Sequence, residues 1–231
     1  DQESGGVRGE LSLDQIETVA AVGVYAENQW QLASAWGLTL GARYDRVRLE
    51  VDDNFGGEDD ASGSRMLDQW SWLAGLSYAI APRHRLYANV ATVFETPTTN
   101  ELANPQGRGF NPDLEPQTAI NYEVGAKGTL GESVDYNVAV FAIRLDDELV
   151  PYEQDGRNFF ENAGRSSRDG FELGVDWWLR DPLRASAAYT YADFRFDSFR
   201  RRVEGATVAD YGGNRIPGVP RHHLFTELAW D

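Results

Sequence analysis

Apolar and polar residues alternate along most of this chain in long, regular runs. The clearest run covers residues 67–80, where Trp70, Trp72 and Leu76 share one face and mostly small or polar residues occupy the other. A repeat of two residues is typical of β-strands with two unlike faces. The same pattern predicts strands at residues 19–32, 36–53, 85–94, 117–128, 134–150, 183–191 and 224–230, and one that ends at residue 179. We therefore predict an all-β fold of about nine strands.

Short and long connections alternate between these strands. Tight turns are predicted near residues 33, 82, 132 and 181, and long loops at residues 54–65, 95–116, 151–161 and 195–217. Residues 95–116 are too rich in proline, asparagine and glycine for a helix or a strand. This alternation predicts an antiparallel up-and-down sheet with its tight turns at one rim and all of its long loops at the other.

The second face of the predicted strands carries charges, which indicates that water lies on that side. The strands are about 12 to 18 residues long, whereas strands of soluble proteins are usually about 5 to 6. We therefore predict a transmembrane β-barrel segment, apolar outside and wet inside, rather than a soluble sandwich. Trp70, Trp72, Leu76 and Tyr78 are expected on the same side as Leu38, Leu40 and Tyr44. Glu123 and Glu172 are expected to face the lumen and to pair with lumen arginines such as Arg43 or Arg184.

Composition excludes several classes of protein. The formal net charge of −16 disfavours nucleic acid as a partner, because phosphate binding needs a basic surface. The chain contains no cysteine, so it offers neither a disulfide framework nor a thiolate nucleophile. No run of 18 or more apolar residues occurs, which excludes a transmembrane helix. Residues 54–65 are acidic, and we interpret them as a solvated loop rather than a calcium site, since their spacing fits no defined calcium loop.

Five motifs, in order, resemble those of TonB-dependent outer-membrane receptors. They are Gly23-Val24-Tyr25-Ala26-Glu27, Phe94-Glu95-Thr96-Pro97-Thr98, Asn111-Pro112-Asp113-Leu114-Glu115-Pro116, Asn162-Ala163-Gly164-Arg165 and Gly213-Asn214-Arg215-Ile216-Pro217. The resemblance implies a barrel of roughly 22 strands that is plugged by an N-terminal domain. We expect residues 1–231 to be a partial barrel with about nine of those strands, without the plug domain and without the final strands.

The resemblance also implies a function. It predicts a receptor in the bacterial outer membrane that binds a scarce ligand, most often a ferric siderophore, and imports it with energy from TonB. The expected partners are outer-membrane lipid, TonB and a small molecule such as a metal chelate; we expect a monomer without a cofactor. Cobalamin, a quinone cofactor or a sugar remain alternative cargoes, and a passive porin or an outer-membrane hydrolase remain alternative functions.

Arginine combined with aromatic and amide side chains on the long loops suits a planar anionic ligand. The candidate ligand-binding residues are Arg108, Phe110, Asn111, Arg157, Asn158, Phe159, Arg200, Arg201, Arg202, Tyr211 and Arg215. The alternative is that these arginines pair with neighbouring acids or with anionic lipid sugar. No catalytic or metal site is predicted: His84, His222 and His223 are not at metal-ligand spacing, and no hydrolase motif occurs.

Overall fold

The computed structural model describes residues 14–54, 62–107, 109–154, 156–203 and 207–230 of the 231-residue chain. They form ten β-strands: β1 Gln15–Ala33, β2 Trp36–Asp53, β3 Gly63–Ala81, β4 His84–Glu95, β5 Gln117–Leu130, β6 Val134–Gln154, β7 Arg157–Arg180, β8 Leu183–Val203, β9 Thr207–Asp210 and β10 His222–Trp230. The described ranges include no helix that is long and apolar enough to cross a membrane.

All ten strands belong to one antiparallel up-and-down sheet. Strands β1 to β8 pair in sequence order, β10 pairs with β8, and the short β9 extends the loop end of β8. The connections after β2, β4, β6 and β8 all lie at one end of the sheet, which we call the loop end. Tight turns at residues 34–35, 82–83, 131–133 and 181–182 lie at the other end. The prediction that these four connections share one end of the sheet is confirmed.

The register places the predicted apolar residues on one side of the sheet. Leu38 lies opposite Leu76, Leu40 opposite Ala74, and Tyr44 opposite Trp70. Directly opposed residues of an antiparallel pair share a face, so the predicted alignment is confirmed. We call this side the outer face and the side that bears Arg43 and Glu123 the inner face.

The outer face is apolar and uncovered. Trp70, Val124 and Val140 are 65%, 62% and 61% exposed, and in the described part of the chain every strand belongs to the one sheet, so no second layer packs on them. This geometry contradicts a soluble sandwich. Aromatic pairs mark both borders: Trp36 with Tyr78 near the tight turns and Tyr44 with Trp70 toward the loop end. Along β2 these pairs are about 20 to 26 Å apart, depending on strand tilt, close to the apolar band of a membrane barrel.

The inner face is polar between these two borders. Arg43 pairs with Asp45, with Nη2 and Oδ1 2.6 Å apart, and Ser186 donates a hydrogen bond to Asp176 over 2.6 Å. The predicted partnership of Arg43 with Glu123 or Glu172 is wrong. A carboxylate on its own strand is closer to Arg43, and Glu123 instead accepts a hydrogen bond from Asn89 Nδ2 over 3.4 Å.

Two predicted loops are wrong in part. Residues 151–154 and 157–161 are the paired ends of β6 and β7, where Tyr152 and Phe159 pack together and are buried. Residues 195–203 continue β8, and β9 pairs back onto them, which adds a tenth strand to the predicted nine. The final strand runs from His222 to Trp230. The acidic residues 55–61 lie outside the described ranges.

Candidate functional site

The long loop between β4 and β5, residues 96–116, folds back onto the inner face at the loop end. Its Leu102 and Leu114 are 0% and 1% exposed and pack with Leu49 of β2 and Leu67 of β3. We call these four residues the leucine cluster. Leu67 lies opposite Val47, two residues beyond Asp45 on the same face, so the cluster occupies the inner face.

Polar contacts from two strands fix this loop. Arg65 of β3 donates hydrogen bonds to the carbonyl oxygen of Asn111 and to Glu115 Oε1, the latter over 3.0 Å. From β7, Asn162 Nδ2 donates to the Glu115 carbonyl over 2.8 Å, while the Glu115 amide donates to Asn162 Oδ1 over 2.7 Å. Gln154 donates to the Pro105 carbonyl over 3.3 Å. The loop is therefore bound to β3 on one side and to β6 and β7 on the other.

Hydrogen bonds within the loop set its shape. Glu101 Oε2 accepts from both the amide and the hydroxyl of Thr98, over 2.8 and 3.0 Å. The amide of Asn111 donates to the Leu102 carbonyl over 2.7 Å, and Asn111 Oδ1 accepts from the Asp113 amide over 3.0 Å. Asn111 is one of the predicted ligand-binding residues. Its side chain is only 8% exposed, and its backbone amide and Oδ1 both form hydrogen bonds inside the loop. Its neighbour Phe110 packs against the leucine cluster.

The β6–β7 hairpin places a second group of predicted residues beside this loop. Tyr152 and Phe159 are buried with ring centroids 6.1 Å apart, and the Arg157 guanidinium lies 5.4 Å from the centroid of Phe159. Arg157 and Asn158 are exposed at the tip. Phe160 packs against the leucine cluster, as Phe110 does. The structure thus brings two sets of predicted ligand-binding residues, Phe110 with Asn111 and Arg157 to Phe159, to the same part of the loop end.

The third predicted group lies elsewhere. Arg200 pairs with Asp210 over 3.2 Å, and Tyr211 stacks on Phe199 with centroids 5.1 Å apart. The Gly212 amide and the Arg200 side chain donate to Asp210, and together they lower the pKa of its carboxyl group below its usual range. Arg215 contacts Asp193, with Nε and Oδ1 3.4 Å apart, on the outer face. Arg108 and the side chains of Arg201 and Arg202 lie outside the described part.

Sequence reasoning missed three residues that organise the site. Arg65, Glu115 and Asn162 join the loop to β3 and β7. Asn162 and Glu115 each belong to a motif that carried the family resemblance, which was a signal for their importance although not for their mutual contact. Arg65 stands at the end of the predicted acidic loop 54–65, where no local pattern distinguishes it.

Comparison with known proteins agrees with this geometry. The profile of the family described as "TonB dependent receptor-like, beta-barrel" matches residues 3–231. The chain belongs to the TonB-dependent receptor family. The resemblance predicted from its motifs is thereby confirmed.

Relatives of this receptor chain include named siderophore receptors. The probable TonB-dependent siderophore receptor PiuA of Acinetobacter baumannii is 25% identical over 214 residues, which cover 88% of this chain and 28% of PiuA. The ferrioxamine B receptor of Salmonella typhimurium is 27% identical over 211 residues, covering 90% of this chain and 27% of that receptor. The chain therefore spans little more than a quarter of either relative.

The crystal structure of PiuA shows the same fold. It superposes with a TM-score of 0.76 at 23% identity, over 94% of this chain and 32% of PiuA. The predicted all-β, antiparallel, up-and-down barrel segment is thus confirmed.

Proposed function

We propose that this chain forms part of an outer-membrane receptor that binds a ferric siderophore at the loop end and imports it with energy from TonB. The uncovered apolar outer face fits a position in lipid, and the polar inner face fits a water-filled passage. Two relatives whose names state a siderophore receptor and a ferrioxamine B receptor support the class of cargo. TonB and the plug domain are part of this proposal because the family resemblance implies them. The barrel segment supplies part of the wall of the passage and the loops that face the ligand.

The observation that carries the cargo assignment is the tip of the β6–β7 hairpin. Arg157 is exposed there, and its guanidinium lies over the buried ring of Phe159, which holds it in place. An arginine presents a planar fork of donors that matches the anionic oxygens of a metal chelate. Asn158 is exposed beside it and offers an amide that can donate or accept. We assign contact with the ligand to Arg157 and Asn158. We assign to Phe159 the role of holding the Arg157 guanidinium in place.

The loop at residues 96–116 has a distinct part in this proposal. Its leucine cluster and its bonds to Arg65 and Asn162 fix its position on the inner face. Phe110 and Asn111 then act from inside the loop, by holding its shape against the hairpin that carries Arg157. Binding at the tip therefore depends on a loop that is already ordered, which lowers the entropy cost of capturing a ligand.

Ligand titration of the complete gene product, purified in detergent, tests the proposal. Tryptophan fluorescence is followed while ferric hydroxamate and ferric catecholate siderophores, the same chelators without iron, and cobalamin are added. Iron-dependent binding is expected, and Arg157→Gln should weaken it by about tenfold through loss of a charged hydrogen bond. Arg48→Gln is the matched control, because Arg48 pairs with Glu50 over 3.0 Å on β2, a strand that pairs with neither β6 nor β7. Equal affinity for iron-free chelators, or for cobalamin alone, would refute the siderophore assignment.

A further inference from the structure

A group of arginines lies on the outer face immediately beyond its aromatic border. On β8, Tyr191 lies opposite Phe171 on the outer face, and Asp193 and Arg195 follow on the same face at intervals of two residues. Residue 215 forms an isolated bridge with residue 195, and Arg221 directly precedes β10. The Arg221 guanidinium lies 5.9 Å from the centroid of Tyr191. Aromatic side chains mark the interface of a membrane barrel, so these arginines stand at the level of the lipid headgroups.

Three guanidinium groups in this patch share one carboxylate. Arg195 Nε is 3.0 Å from Asp193 Oδ2, while Arg215 Nε and Arg221 Nη2 are 3.4 and 3.5 Å from Asp193 Oδ1. A single carboxylate neutralises one of the three, and the other two positive charges repel each other across a short distance. We call Asp193, Arg195, Arg215 and Arg221 the arginine patch.

Neighbouring acids on this face are already engaged. Asp169, directly opposite Asp193, pairs with Arg144 over 2.8 Å. Asp197 accepts a hydrogen bond from the Ser167 hydroxyl over 2.8 Å. The three arginine side chains of the patch keep between 36% and 43% of their surface exposed. An added anion can therefore reach them from outside the barrel.

A second outer-face site at the same height provides a contrast. Beyond Tyr44 on β2, Arg46 lies opposite Asp68, and Arg48 pairs with Glu50 over 3.0 Å. Two arginines and two carboxylates thus stand together here, so their charges balance. The surplus of positive charge around one carboxylate is a property of the β8–β10 side, in a chain whose formal net charge is −16.

We propose that the arginine patch binds the phosphate groups of a phosphorylated glycolipid in the outer leaflet of the membrane. A phosphate group presents several acceptor oxygens to the arginine forks and supplies the missing negative charge. The lipid's acyl chains would lie along Tyr189, Tyr191 and the apolar residues below them. This inference rests on the proposed outer-membrane location and is independent of the imported ligand.

The test is a lipid titration of the complete gene product in neutral detergent. Bisphosphorylated lipid A, the same lipid without phosphates, and inorganic phosphate are added separately, and retained lipid is quantified by native mass spectrometry. The double variant Arg215→Gln/Arg221→Gln keeps the Arg195–Asp193 pair and should weaken binding of the bisphosphorylated lipid by about 10- to 30-fold. Arg46→Gln/Arg48→Gln removes the same charge from the β2 site, where arginines and carboxylates are equal in number, and should weaken binding of this lipid by less than about threefold.

A third variant guards against loss of binding through misfolding. Asp193→Asn removes the competing carboxylate and should strengthen binding of the bisphosphorylated lipid by about fivefold, a gain that an unfolded protein cannot show. The lipid without phosphates should bind all variants equally. Equal losses in the two double variants, no gain in Asp193→Asn, or inorganic phosphate binding as tightly as the lipid would each overturn the proposal. No siderophore enters this titration, so its failure leaves the proposed transport function standing.

Discussion

Replacing Leu102 by alanine should release the loop at residues 96–116 from the inner face. Leu102 is completely buried and packs with Leu49, Leu67 and Leu114, three side chains contributed by β2, β3 and the loop itself. Core Leu→Ala changes cost about 2 to 5 kcal/mol, with the smaller values where the surroundings can collapse into the cavity. A surface loop can collapse more readily than a domain core, so we expect about 2 to 3 kcal/mol here.

This loss should appear as local opening rather than global unfolding, because the strand pairing of the sheet does not depend on Leu102. A change of about 2 to 3 kcal/mol raises the open population of the loop by about 30- to 150-fold. Hydrogen exchange with mass spectrometry reads this directly at the amides of Leu102 and Asn111, which are bonded to the carbonyls of Thr98 and Leu102.

A leucine outside the cluster provides the control. Leu40→Ala removes the same atoms from the outer face, where Leu40 is 41% exposed, and should leave exchange in the loop unchanged. If Leu102→Ala accelerates exchange at these amides by less than about threefold, the leucine cluster does not hold the loop and the reasoning from burial fails.

Three further predictions concern the contacts around the loop end. Asn162→Ala removes both hydrogen bonds to the Glu115 backbone and should raise exchange at the Glu115 amide by about 5- to 30-fold, whereas Asn158→Ala at the exposed tip should not. Gly156 has a φ of +76°, so Gly156→Ala should destabilise the β6–β7 hairpin by about 1 kcal/mol. Gly75→Ala is the control, because its added Cβ would make only an ordinary contact 3.8 Å from Thr39, and it should destabilise its own strand less. Equal destabilisation by the two changes would contradict this prediction. The Asp210 carboxyl has a lowered pKa, so its stabilisation of the β8–β9 hairpin is complete above about pH 4 and is lost as the pH falls through the folded pKa. The rate of amide hydrogen exchange in the hairpin, corrected for the intrinsic rate, should therefore be flat from about pH 7 to 5 and rise below about pH 4. Asp210→Asn should abolish this pH dependence.

The faces and the order of the strands could be predicted from the sequence because the two faces of each strand lie in unlike environments. A repeat of two residues fixes which side chains share a face, and a register error of one residue would move every apolar side chain to the wrong side. The alignment of Tyr44 with Trp70 and of Leu38 with Leu76 followed from that constraint alone.

Strand ends could not be predicted with the same accuracy. Beyond the apolar band, Glu153, Arg157 and Asn158 have polar side chains and resemble loop residues, yet they continue the pairing of β6 with β7. The available signal was Asp155-Gly156 between Tyr152 and Phe159, since Asp-Gly between apolar residues favours a two-residue hairpin turn. The prediction of a loop at residues 151–161 rests on the polar residues there and makes no use of that dipeptide.

The fold of the loop at residues 96–116 depends on contacts between distant residues and has no local signal. Leu102 and Leu114 stand singly among turn residues, without a repeat that would predict burial. Arg65 reaches Glu115 across 50 positions of sequence, and Asn162 reaches it across 47. Residue type alone could nominate candidate residues on the loops, whereas their distribution between loop interior, hairpin tip and outer face could not be predicted.

The two faces of the sheet exchange character at the aromatic border, and this exchange explains both the leucine cluster and the arginine patch. On β2 the outer face changes from Leu40 and Tyr44 to Arg46, Arg48 and Glu50, while the inner face changes from Arg43 and Asp45 to Val47, Leu49 and Val51. On β8 the outer face changes from Tyr191 to Asp193 and Arg195, while the inner side chain of Phe194 packs edge-on against Phe141. Below the border lipid requires apolar residues outside and water requires polar residues inside. Above it the outside meets charged headgroups and water, and the inside is covered by a folded loop, so each requirement is reversed. In the outer-membrane position that we propose, this change in the phase of the two-residue repeat within a single unbroken strand marks the edge of the membrane, and on β2 it lies between residues 45 and 47.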